Sequence, residues 1–132
     1  MLKLLVEEAG SEYAERVWNE PDAATASRLV VPEVGAALSA ARRAGRLGEE
    51  AQRRALREWG RFRIEVDVLE LTPEIADRAA ELAAAQALSG ADAVHLASAL
   101  SLADCRPLVV TWDRRLASAA FAAGLDVAPP AT

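Results

Sequence analysis

The run Gly90-Ala91-Asp92-Ala93-Val94-His95-Leu96-Ala97-Ser98-Ala99-Leu100 constrains this chain more than any other stretch. Small and apolar residues fill it almost throughout, and a lone His95 stands between Val94 and Leu96. A helix that is apolar all round is normally a buried one. Its first turn nevertheless carries Asp92, at the helix end that favours negative charge. A carboxylate in such a setting is costly unless it is paired or bound to a metal. Asp92 is therefore either a cap or a ligand. His95, on the same helix, reads as a packing residue or as a group that supports a ligand from behind.

The flanking text alternates helices with short strands. Met1-Leu2-Lys3-Leu4-Leu5-Val6-Glu7-Glu8 reads as helix, and Gly10 ends it. Ser11 caps a second helix that Pro21 stops. A short strand is expected over Ala23–Ser27. Next comes a helix from Glu33 to Arg43, with Pro32 in its first turn, and an Arg-rich helix from Glu49 to about Gly60. Arg63 to Leu71 alternates apolar and charged residues up to Val68, the pattern of a strand with one face buried. Thr72-Pro73-Glu74 marks a helix start. Pro107-Leu108-Val109-Val110-Thr111-Trp112 is an almost wholly apolar strand, of the kind buried on both faces in a parallel sheet. Asp113 follows it, then a helix from Arg114 to Ala123 closed by Gly124, then a strand over Leu125–Ala128. Strands separated by helices imply an α/β fold with a mostly parallel sheet. No linker divides residues 1–132, so a single domain is expected.

Charge is unevenly spread. The chain of 132 residues carries a net charge of −5, yet residues 42–63 hold eight arginines against three acids. That segment is about +5 and leaves the remainder near −10. It reads either as a phosphate-binding face or as a solvated helix surface. The acidic balance argues against bulk non-specific nucleic-acid binding, though not against an enzyme that acts on RNA. A single Cys105 allows no internal disulfide and fits a reducing cytoplasm. No apolar stretch is long enough to span a membrane, no zinc-type Cys/His spacing occurs, and no glycine-rich phosphate loop is present.

Three carboxylates stand out by position. Glu33 opens a helix after a strand-like segment, Asp92 opens the apolar helix, and Asp113 follows the apolar strand. In open α/β sheets, ligands sit beyond the carboxyl ends of the strands, which is where Asp113 and the preceding Thr111 fall. Clustered carboxylates suit hard divalent cations such as Mg²⁺ or Mn²⁺, which take oxygen ligands. Each acid also has a plain structural reading: Glu33 as a surface helix start, Asp113 as the N-cap of the helix that follows.

The stretches "ASRLVVPEVGAAL", "GADAVHLASAL" and "LVVTWDRRLASAA", with "LLVEEAGSEYAERVW" near the N-terminus, closely resemble PIN-domain ribonucleases, in particular the VapC-type toxins of toxin–antitoxin pairs. The resemblance spans essentially the whole chain. It implies a three-layer α/β/α sandwich with a central, mostly parallel sheet. It implies that Glu33, Asp92 and Asp113 match the acids of a metal site holding Mg²⁺ or Mn²⁺, and that Thr111 matches a supporting hydroxyl residue. Arg114 and Arg115 match basic residues that follow the last acid and are candidate contacts to RNA phosphate. The resemblance further implies metal-dependent hydrolysis of RNA phosphodiesters, a VapB-type antitoxin as partner, a homodimer, a cytoplasmic location, and contact with DNA only through the antitoxin.

The family pattern opens with a short strand ending in Asp-Thr-Ser-Ala or Asp-Ser-Ser-Ala, whose Asp is a principal metal ligand. Here Met1–Glu8 resembles the helix that follows that strand, and neither Glu7 nor Glu8 is expected to replace the Asp. Two expectations follow: a start codon assigned downstream of the true one, or a truncated chain that binds antitoxin or RNA without cutting. The first is preferred, because the rest of the sequence is well kept.

Overall fold

A computed structural model describes residues 24–128. The expected helices before Pro21 lie outside the described residues, as does the end of the chain after Ala128. The described order is β1 (Thr25–Ser27), α1 (Val30–Arg43), α2 (Glu49–Glu65), β2 (Asp67–Leu69), α3 (Pro73–Gln86), α4 (Gly90–Ser101), a 3₁₀ turn (Ala103–Cys105), β3 (Leu108–Val110), α5 (Arg114–Ala122) and β4 (Asp126–Ala128). The chain divides into two compact units, Met1–Val68 and Leu69–Thr132.

In the first unit, β1 is the neighbour of β2, and the Asp67 N–H donates to the Ala24 carbonyl at 2.9 Å. Helix α1 starts at Val30, three residues earlier than expected, so Pro32 and Glu33 both fall in its first turn. No side chain caps it. Instead, the buried Ser27 hydroxyl accepts from the Leu29 N–H at 3.2 Å and steadies the entry. Gly45, at φ +73°, takes the left-handed conformation that closes the helix, with the Arg46 N–H donating back to the Ala41 carbonyl at 3.0 Å. Val34, Leu38 and Ala41 of α1 pack with Leu47 and with Ala55 and Trp59 of α2. That core is built from the 3–4-residue spacing of two amphipathic helices.

The strand expected over Arg63–Leu71 is corrected. Helix α2 continues through Glu65, the Val66 N–H donates to the Phe62 carbonyl at 3.0 Å, and only Asp67–Leu69 is extended. The reason is the helical period. Trp59 and Phe62 carry the inward face to the end of α2, and Val66 is buried just beyond it. Ile64, which a strand would have placed beside Val66, points outward and is 87% exposed.

In the second unit, α3 and α4 pack closely and α5 packs on α4. Ile75, Ala79, Leu82, Ala93, Leu96, Ala97, Leu116 and Ala120 supply much of the core. Both helix starts read from the sequence are present. Thr72 Oγ1 accepts from the Ile75 N–H at 3.2 Å with Pro73 in the first turn, and Asp113 caps α5. The apolar α4 buries Ala93, Leu96, Ala97 and Ser98. Strand β3 pairs in parallel with β4, Val109 opposite Val127, as the βαβ reading requires. Burial of β3 on both faces is not found among the described residues. Val109 packs on the core, whereas Leu108 and Val110, on the opposite face, are 52% and 39% exposed. The helices of this unit cover the Val109 side of a strand only three residues long.

Candidate metal and nucleic-acid site

Asp113 stands where β3 gives way to α5. The Asp113 N–H donates to Thr111 Oγ1 at 3.1 Å, and Asp113 Oδ1 accepts from the Leu116 N–H at 2.9 Å. Thr111 is itself held by its N–H, which donates to the Ala128 carbonyl at 3.0 Å and extends the β3–β4 pairing beyond the strand. The structure thus brings Thr111 and Asp113 together. It also gives Asp113 the capping role that the sequence left open, and a carboxylate has a second oxygen beyond the one spent on a cap.

Asp92 lies in the first turn of α4, half-buried. The cap of that helix is Ser89, whose hydroxyl accepts from the Asp92 N–H at 3.2 Å. Ser-x-x-Asp is a weaker relative of the capping box, a local signal that identifies Ser89 as the cap. With the cap supplied by Ser89, the Asp92 carboxylate is not needed for it. Ala93, next to Asp92, and Leu116, bonded to Asp113, belong to one core cluster. The two acids therefore start helices that share a core.

Glu33 lies exposed in the first turn of α1, in the first unit, whereas Asp92 and Asp113 belong to the second. Among the described residues, no three His, Cys, Asp or Glu side chains gather into a set able to hold a metal ion. By donor chemistry the three acids suit a hard divalent cation. They offer only carboxylate oxygens, and Mg²⁺ is commonly held by one or two carboxylates while keeping its waters.

Arg114 and Arg115 are exposed at the first turn of α5. Cations sit unfavourably at a helix N-terminus, and the Asp113 carboxylate offsets part of that cost. Arg115 borders an open hollow of about 260 Å³ with Gln86, Ala87, Ser118 and Ala119. Two further features escaped the sequence reading. Ser98 is buried, and its hydroxyl has no hydrogen-bond partner among the described residues. Ala87 closes α3 in the left-handed region at φ +53°, a position where glycine is usual. No described helix is long and apolar enough to cross a membrane.

The chain matches the PIN domain family over residues 1–122. It is 49% identical over 128 residues to Ribonuclease VapC45 of Mycobacterium tuberculosis (strain CDC 1551 / Oshkosh), covering 97% of this chain and 89% of the relative. The same identity and coverage relate it to Ribonuclease VapC49 of Mycobacterium tuberculosis (strain ATCC 25618 / H37Rv). A match across most of the chain, with near half of the positions identical to these relatives, means that the chain belongs to the PIN-domain family, among its VapC-type members.

Proposed function

We propose that this protein is the ribonuclease toxin of a toxin–antitoxin pair, hydrolysing RNA phosphodiester bonds with a divalent cation, Mg²⁺ or Mn²⁺. The observation that carries the reading is the position of Asp113 just beyond the carboxyl end of β3, at the start of a helix whose core also takes Ala93, the neighbour of Asp92. It is supported by the near-half identity to proteins named Ribonuclease VapC.

Asp92, Asp113 and Glu33 would hold the cation, and Thr111 fixes the backbone from which the Asp113 side chain departs. When bound, the cation acidifies a water and neutralises charge on the phosphodiester. The water oxygen would bond to phosphorus as the bond to the 3′ oxygen breaks, the water giving up a proton and the departing oxygen taking one up, which leaves a 5′-phosphate and a 3′-hydroxyl. Arg114 and Arg115 would contact the RNA phosphates near the scissile bond. A VapB-type antitoxin would hold the toxin off by covering the acidic residues of the site, with DNA reached only through the antitoxin. The toxin works in the cytoplasm as a homodimer.

The test is cleavage of a labelled RNA pool by the 132-residue chain in Mg²⁺ or Mn²⁺. Cutting that stops with EDTA and in Asp92→Asn supports the reading, and cutting that persists in Asp92→Asn and Asp113→Asn overturns the site. A second reading, a PIN-like module that binds antitoxin or RNA without cutting, is favoured by one observation: no three potential ligands gather among the described residues. It predicts antitoxin binding by a folded chain that leaves RNA intact in either metal.

A further inference from the structure

We infer that the outer face of α2 binds the phosphate backbone of single-stranded RNA. Ala55 and Trp59 are buried on the inner face of this helix, with Ala51 and Phe62 packed beside them, and this fixes which way α2 is turned. At about 100° per residue, Arg53, Arg57, Arg61 and Arg54 fall on one arc about 100° wide, on the side away from that core. All four are exposed. Arg54 to Arg61 covers about 10 Å of helix axis.

The charges on this arc are available. Arg53 is held by Glu49 at 2.6 Å, with both side chains about two-thirds exposed, a pairing that water and salt weaken. Among the described residues no hydrogen bond or ion pair engages Arg54, Arg57 or Arg61. Glu50 is the one acid on the same arc, at its N-terminal end. Glu58 lies toward the packed side, and Glu65 ends the helix.

Charge complementarity selects the occupant. The segment around α2 is about +5 on a chain of net charge −5, so a polyanion is repelled by the rest of the protein and oriented by this face. The cations are all arginines, whose planar fork matches phosphate oxygens in pairs. A protein-binding face would be built around apolar anchors in a pocket. This arc has one large exposed apolar residue, Ile64, at its C-terminal end. The choice of RNA over other polyanions rests on the ribonuclease reading above, whereas the binding face itself does not.

The test uses the full chain in EDTA, which prevents cutting, and a short fluorescein-labelled single-stranded RNA of mixed sequence, followed by anisotropy over a range of salt. Three phosphate contacts give a slope of log affinity against log salt of about −2, at roughly −0.7 per contact. The triple variant Arg54→Gln, Arg57→Gln, Arg61→Gln is expected to lose about tenfold in affinity at low salt and to flatten the slope by about 2. Its circular dichroism should be unchanged, since glutamine is a good helix former. Arg78→Gln with Arg106→Gln removes charge elsewhere and should have a much smaller effect per charge. Unchanged affinity and slope in the triple variant overturn the inference, as expected if the face receives an acidic protein instead. An equal loss per charge in the control variant overturns it too. Metal-dependent cutting by the native chain, with unchanged RNA binding by the triple variant, rejects this face and leaves the ribonuclease reading standing. Binding lost in the triple variant, with no cutting in any metal, supports the face and rejects the ribonuclease reading.

Discussion

Asp113 holds the first turn of α5 through Leu116: its Oδ1 accepts from the Leu116 N–H at 2.9 Å, and the Leu116 side chain is buried in the core of the second unit. One oxygen of the proposed metal ligand is thereby tied to the packing of a helix. The two roles can be separated by substitution. Asparagine caps as well as aspartate, whereas alanine costs about 1 kcal/mol at an N-cap. Asp113→Asn should unfold in urea within a few tenths of a kcal/mol of the native chain and cut no RNA. Asp113→Ala should be less stable by about 1 kcal/mol and equally inactive. An Asp113→Asn variant that is as destabilised as Asp113→Ala would show that the charge, and not the hydrogen bond, carries the structural role.

Local signals were the legible ones. Thr72-Pro73 and Asp113 announced helix starts because a cap is decided within four residues. Gly45 and Gly124 announced helix ends because a left-handed residue is needed there, and both have positive φ. The run around Asp92 announced a buried helix by composition alone. The end of α2 was not legible, because Ile64, Val66 and Val68 fit a two-residue period as well as a helical one over so short a stretch. Packing of Trp59 and Phe62 settles it. Burial of β3 was also overestimated, since an apolar strand does not reveal which of its faces its neighbours reach. The grouping of Glu33, Asp92 and Asp113 was suggested by resemblance rather than by spacing. The separations run to 59 and 21 residues, and nothing local sets how such distant positions meet.

Ala87 ends α3 with φ +53°, and the Leu88 N–H donates back to the Ala83 carbonyl at 3.2 Å. A residue with a Cβ in this conformation carries a cost of about 1–2 kcal/mol, which glycine avoids. Glycine in turn loses more freedom on folding, by about 0.4–1 kcal/mol. Ala87→Gly should therefore raise stability by about 1 kcal/mol, seen as a higher urea midpoint with an unchanged slope. A lower midpoint would mean that the Ala87 methyl group makes packing contacts that outweigh the backbone cost.

The boundary between α2 and β2 gives a prediction that separates the helical from the extended reading of residues 63–65. In the helix, Ile64 is 87% exposed, and Trp59, five residues earlier and about 140° round the helix, is 7% exposed. Ile64→Gln should change stability by no more than about 0.5 kcal/mol, as surface substitutions usually do. Trp59→Ala should cost about 3–5 kcal/mol, through lost burial and the cavity left among Val34, Leu38 and Ala55. Urea unfolding of the two variants measures both. A strand over Arg63–Leu71 would place Ile64 on the same buried side as Val66, and Ile64→Gln would then cost several times more than the helix allows.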